Sequence, residues 1–90
     1  LNVTAKAKKG NITVSWKNVQ TSKAVSKIEV QYATKKNFKK NVKTKELAAG
    51  KAKVTLKKLK RKTNYFIRVR YKYTDGSTSN WSVVKKAKTK

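Results

Sequence analysis

Three acidic side chains, Glu29, Glu46 and Asp75, are all that this 90-residue chain offers for carboxylate chemistry. No two are close in sequence, and none falls in a metal-loop spacing. Histidine and cysteine are both absent. Without histidine the chain lacks the usual general base, the usual metal ligand and the one side chain that titrates near neutrality. Without cysteine it lacks thiolate nucleophiles, zinc–thiolate sites and disulfides. A catalyst would have to be built from lysine, tyrosine and serine. The inventory points away from an enzyme, from a metal site and from any cofactor.

What the sequence has in excess is positive charge, 26 basic residues against 3 acidic for a net +23. Only Arg61, Arg68 and Arg70 are arginines, which leaves 23 lysines. Lysine is a hydrated point charge, whereas the arginine fork suits bidentate recognition of phosphate or carboxylate. A specific nucleic-acid reader would carry more arginine, so no specific nucleic-acid partner is expected. Cations clustered on loops nonetheless attract polyanions. A lysine-favouring, bacterial genome together with a solubility-driven surface accounts for the same composition without any ligand.

Ninety residues make one domain, small enough that its core must be well used. Apolar residues recur with period two between turn signals, the mark of half-buried antiparallel strands. Val3, Ala5 and Ala7 alternate with polar residues before Lys8-Lys9-Gly10 turns the chain. Ile12, Val14 and Trp16 form a second such run, and Ile28, Val30 and Tyr32 a third. A lysine- and asparagine-rich loop runs from Thr34 to about Asn41, followed by a weak strand near Lys43 to Leu47 and a turn at Ala48-Ala49-Gly50. Ala52, Val54 and Leu56 alternate next, and the longest strand extends from about Asn64 to Tyr73. Asp75-Gly76 is a hairpin turn, and Trp81, Val83 and Val84 are expected on the last strand, with a bulge. Seven strands without a helix predict a sandwich or a barrel.

Over essentially its whole length the chain resembles the fibronectin type III domain. Trp16 and Tyr32 fall where that family keeps its core tryptophan and tyrosine. Leu59-Lys60-Arg61-Lys62-Thr63-Asn64-Tyr65, running into Phe66-Ile67-Arg68-Val69-Arg70, resembles the family's tyrosine corner, in which a leucine plugs the core and the tyrosine hydroxyl satisfies a backbone group in the crossover. Asn80-Trp81-Ser82 is similar to the start of the last strand in bacterial members. The resemblance implies an all-β, seven-stranded antiparallel immunoglobulin-like sandwich, with sheets A-B-E and C′-C-F-G, occupying residues 1–90 as a single domain excised from a larger multidomain protein. Its inward set is expected to include Val3, Ala5, Ile12, Val14, Trp16, Ile28, Val30, Tyr32, Val54, Leu56, Leu59, Tyr65, Ile67, Val69 and Tyr71. No signal peptide and no initiator methionine are read, so the chain is expected to be an internal segment.

That topology gathers the A–B, C–C′ and E–F loops at one end. There it collects the candidate polyanion-binding residues Lys35, Lys36, Lys39, Lys40, Lys57, Lys58, Lys60, Arg61 and Lys62, beside the tail lysines, while Glu46 and Asp75 go to the opposite end. A surface ladder of Arg68, Arg70 and Trp81 is expected on the outer face of strand F, with Glu29 as counter-ion. The expected role is a spacer or interaction module of a secreted or cell-surface, bacterial protein, in contact with neighbouring domains of its own chain, monomeric and not inserted in a membrane. The alternatives are a module that grips anionic cell-wall or host polysaccharide, teichoic acid, glycosaminoglycan, mucin or nucleic acid with its basic pole, and an accessory domain of a carbohydrate-active enzyme. No Arg-Gly-Asp occurs, so integrin-type adhesion has no support.

Overall fold

Alternation becomes strand wherever one face of a segment can be buried. The computed structural model describes residues 2–17, 24–35, 38 and 42–90. Within them lie β1 (Asn2–Lys8), β2 (Asn11–Lys17), β3 (Val25–Ala33), β4 (Lys43–Ala48), β5 (Lys53–Leu56), β6 (Asn64–Tyr73) and β7 (Lys85–Lys88). All pairing is antiparallel, in a three-stranded sheet of order β1-β2-β5 and a four-stranded sheet of order β4-β3-β6-β7. No helix among the described residues is long and apolar enough to cross a membrane.

The register puts Ile12 and Val14 of β2 opposite Leu56 and Val54 of β5, and Val30 and Tyr32 of β3 opposite Val69 and Ile67 of β6. Ile12, Val14, Ile28, Val30, Ile67 and Val69 are each 0% exposed. Burying a side chain of that size stabilises by about 1.5–3 kcal/mol, so this two-layer core is the main source of stability. Ala5, Tyr32 and Leu59 pack against it while remaining partly exposed. Trp16 is buried, and its indole Nε1–H donates to the Lys51 carbonyl at 3.1 Å, which satisfies the polar atom that comes in with the ring.

The edges carry charge. Lys43 and Lys45 of β4 register with Tyr32 and Val30, so they share the core-side face, yet both are exposed because β4 is an edge. Charges so placed discourage a second chain from extending the sheet.

One expectation is corrected here. The last strand is Lys85–Lys88, and Trp81, Val83 and Val84 lie before it. Val83 is 75% exposed, and Ala87, not a valine, fills the core from β7. The cause is that residues 79–82 follow β6 through hydroxyls. Ser79 N–H donates to Tyr71 O while its Oγ accepts Tyr71 N–H, and Ser82 repeats the pattern with Val69. A segment held by its serine side chains need not alternate. Glu46, expected at the far pole, lies toward that end of β4 on the outer face of the four-stranded sheet, opposite Glu29 and 3.8 Å from Lys72.

Candidate functional site

The tyrosine corner builds one end of the molecule. Tyr65 enters β6 buried, and its hydroxyl accepts the Lys60 N–H at 2.9 Å. Leu59 N–H donates to Gly10 O at 2.9 Å and so ties this turn to the β1–β2 turn. Gly10 holds a φ of +65°, a left-handed turn conformation that glycine adopts without steric cost, while a Cβ there would make only an ordinary contact, 3.5 Å from the Leu59 carbonyl. Lys58 and Lys62 take φ of 58° and 52°, the left-handed region in which an L side chain crowds its own carbonyl. Thr89, 2% exposed, locks the far side, its Oγ1 accepting Thr63 N–H at 3.0 Å and donating to Lys60 O. Lys90 N–H reaches Lys8 O at 3.2 Å.

These bonds converge the lysine-bearing segments. Lys8, Lys9, Lys57, Lys58, Lys60, Arg61, Lys62, Lys88 and Lys90 are all exposed on turns and strand ends of this pole, and Lys35 follows Thr34 beside it. Lys36, Lys39 and Lys40 lie outside the described residues. Between residues 32–34 and 42–43 on one side and the turn before β6 on the other runs an open groove of about 440 Å³, with Tyr32, Leu59 and Tyr65 as apolar wall and Lys43, Lys58 and Lys60 among its lining. Among the described residues no carboxylate lines it.

The acidic residues are committed elsewhere. Glu29 Oε1 accepts Arg70 Nε–H at 2.9 Å. Glu46 lies 4.0 Å from the Lys27 ammonium and 3.8 Å from that of Lys72. Asp75, in the hairpin at the opposite end, accepts Ser77 N–H at 2.8 Å. Among the described residues no three His, Cys, Asp or Glu gather as metal ligands would.

On the outer face of the four-stranded sheet Arg68 and Arg70 both stack on Trp81, with guanidinium carbons 4.3 and 4.1 Å from its ring. Phe38 covers Arg68 at 4.1 Å, and Gln31 Oε1 accepts Arg68 Nε–H at 2.6 Å. Burial, and then the Arg70 charge, hold the Arg68 pKa below the usual guanidinium range. The unfolded chain therefore binds this proton more tightly, and this contribution to stability rises with pH only in strongly basic solution. Phe38 and Gln31 were not foreseen as members of this face. Phe38 sits in a polar loop with no periodic signal, and Gln31 is one polar residue among many on an alternating strand.

A three-plus-four antiparallel sandwich closed by a tyrosine–backbone bond defines an immunoglobulin-like β-sandwich module. The chain belongs to the fibronectin type III family, whose domain pattern matches residues 1–87. Domains of this family are generally non-catalytic modules of multidomain proteins and occur commonly in extracellular or cell-surface proteins. The fold is similar to the FN1–FN3 domains of chicken CNTN1, with a TM-score of 0.86 and 20% identity over 98% of this chain and 30% of that one. The fn3 domain of human contactin 1 is similar at a TM-score of 0.85 and 21% identity, over 98% of this chain and 73% of that one. A structure described as that of a myokine reaches 0.79 and 23%, over 99% and 93%. Among curated proteins none matches the chain.

Proposed function

We propose that this domain is a spacer and interaction module of a secreted or cell-surface multidomain protein, set apart from its neighbours by its own long axis. The observation that supports this is the placement of its two ends. β1 begins at the pole of the β6–β7 hairpin, whereas Thr89 is pinned to the turn before β6 at the other pole, in a body 40 Å long. Neighbours attached at those points are held apart along that axis, and the buried Thr89 clamp fixes the direction in which the chain leaves. The test is small-angle scattering on one, two and three copies joined head to tail. The maximum dimension should grow by nearly the 40 Å length with each copy. Growth well below that, or self-association of the single domain, contradicts the reading.

A second reading is favoured by the convergence of three lysine-bearing segments on one pole that no carboxylate lines. In this reading the pole holds an anionic polymer. Any chain this basic adheres to polyanions in dilute buffer, so the discriminating measurement is affinity across a salt series. Non-specific capture fades steeply with salt. A functional pole keeps measurable affinity at roughly 0.15 M salt and prefers one polymer over others of equal charge density. Release of heparin, teichoic acid and DNA alike at that salt removes this reading and leaves the spacer.

A further inference from the structure

We propose that the groove between residues 32–34, residues 42–43 and the turn before β6 binds one anionic unit of a charged glycan. The ammonium groups of Lys43, Lys58 and Lys60 hold its phosphate, sulfate or carboxylate, and its ring lies on Tyr32 and Leu59. The proposal rests on the polymer-holding reading and gives it a site and a ligand chemistry.

Four observations carry it. The groove volume of about 440 Å³ lies within the roughly 300–1,000 Å³ typical of small-ligand clefts. Its lining combines apolar wall with three lysines from two separate segments, and the carboxylates of the chain are engaged on another face or at the far pole. Like charges brought together without a counter-ion select for an anion. The turn that presents Lys58 and Lys60 is held in advance by the Tyr65 and Gly10 bonds, and preorganisation lowers the entropy cost of binding. Lys58 itself keeps a left-handed backbone that an L residue adopts at a cost, and strained positions of this kind gather at ligand clamps.

The lining also narrows the class. Among the described residues that line it, no Asn, Gln, Asp or Glu stands to read the hydroxyls of a neutral sugar, whereas three lysines stand to attract an anionic group. Among the described residues no arginine lines the groove, so these offer no fork for guanine edges or for bidentate capture of peptide carboxylates. Lysine point charges beside aromatic walls suit a ring that carries one anionic substituent.

The test compares three triple variants of equal charge. Lys43→Gln/Lys58→Gln/Lys60→Gln empties the groove of cations. Lys9→Gln/Lys57→Gln/Lys88→Gln removes the same charge from the same pole outside the groove. Lys6→Gln/Lys17→Gln/Lys53→Gln removes it from the outer face of the three-stranded sheet. Each is titrated with a short heparin oligosaccharide, a short poly(glycerol phosphate), oligoglutamate and a DNA duplex, after its melting temperature is shown to match the parent. The groove variant should lose at least about tenfold more affinity for a glycan probe than either control, as expected for losing charge-assisted contacts. Its salt slope should flatten by about one unit per lysine. Amide resonances of Thr34, Leu59 and Lys60 should shift on adding the preferred glycan, and comparison of the two glycan probes tells sulfate and carboxylate from phosphate. Equal loss in the two pole variants overturns the groove but leaves the polymer-holding pole intact. Equal loss in all three, with every probe released at roughly 0.15 M salt, overturns both. Groove-dependent binding of oligoglutamate or DNA as tight as that of either glycan overturns the glycan assignment.

Discussion

The hydroxyl of Tyr65 accepts the backbone N–H of Lys60 at 2.9 Å, five residues back along the chain, and fixes the turn from which the lysines of the basic pole project. Tyr65→Phe leaves that part-buried N–H without its acceptor and should cost about 1–2 kcal/mol. Leu59→Ala should cost about 2 kcal/mol, the low end for such a truncation because Leu59 is only partly buried. Denaturant unfolding that finds both changes neutral would remove the corner as the anchor of this pole.

Lys62 holds a φ of 52° in the same turn. Glycine at this position avoids the crowding of Cβ against the carbonyl, while its greater freedom when unfolded offsets part of the gain. Lys62→Gly should therefore stabilise by roughly 0.5–1 kcal/mol. A lowered melting temperature contradicts the left-handed assignment.

Ser79 and Ser82 place their hydroxyls where a regular strand would place carbonyls, accepting Tyr71 N–H and Val69 N–H at 2.9 Å each. Replacing either with alanine should cost about 1–2 kcal/mol. Hydrogen exchange localises the effect, since the Tyr71 or Val69 amide should lose protection before the β3-facing amides of β6 do. Unchanged protection at both amides would show that the hydroxyls are not the acceptors.

The stack of Arg68 on Trp81 is a pairwise interaction that a double-mutant cycle isolates. Arg68→Met and Trp81→Ala, singly and together, should show a coupling of about 0.5–1 kcal/mol, typical of a cation over an aromatic face at a partly exposed site. A coupling indistinguishable from zero means the ring merely lies beside the guanidinium.

Charge should set the response to salt. At net +23 the folded chain holds its cations closer together than the unfolded chain does. Its ion pairs at Glu46 are exposed and contribute little. Added salt screens the repulsion over a Debye length of about 10 Å at 0.1 M, so the melting temperature should rise with sodium chloride. A fall over the same range would place more stability in the Glu29 and Glu46 pairs than their geometry suggests.

Much of the fold was legible in advance because its signals are local. Period-two alternation in β1, β2, β3, β5 and β6 assigns each residue to a face, and burial then follows from the face alone. The last strand was misread for the complementary reason. Trp81, Val83 and Val84 look like strand residues, but the serines beside them bond to β6 and leave the valines in solvent, while the short run Lys85–Lys88 supplies only Ala87 to the core. A hydroxyl that substitutes for a backbone acceptor has no periodic signature.

By itself the sequence determined the class of protein and the sign of its surface. The spacing of Trp16, Tyr32, Leu59 and Tyr65 specifies the sandwich, and 26 cations against 3 anions make it basic wherever the chain folds. The resemblance already sent the loop lysines to one pole, but only the tertiary structure decided which of them share a groove and how Glu46 is neutralised. Glu29 and Glu46 stand on neighbouring strands and face Arg70 and Lys72 across the sheet, so one face is paired. Lys43, Lys58 and Lys60 come from segments distant in sequence and share one groove without a carboxylate. Composition counts charges, but their energy depends on distance and on the medium between them, and both are set only when strands far apart in the chain are brought side by side.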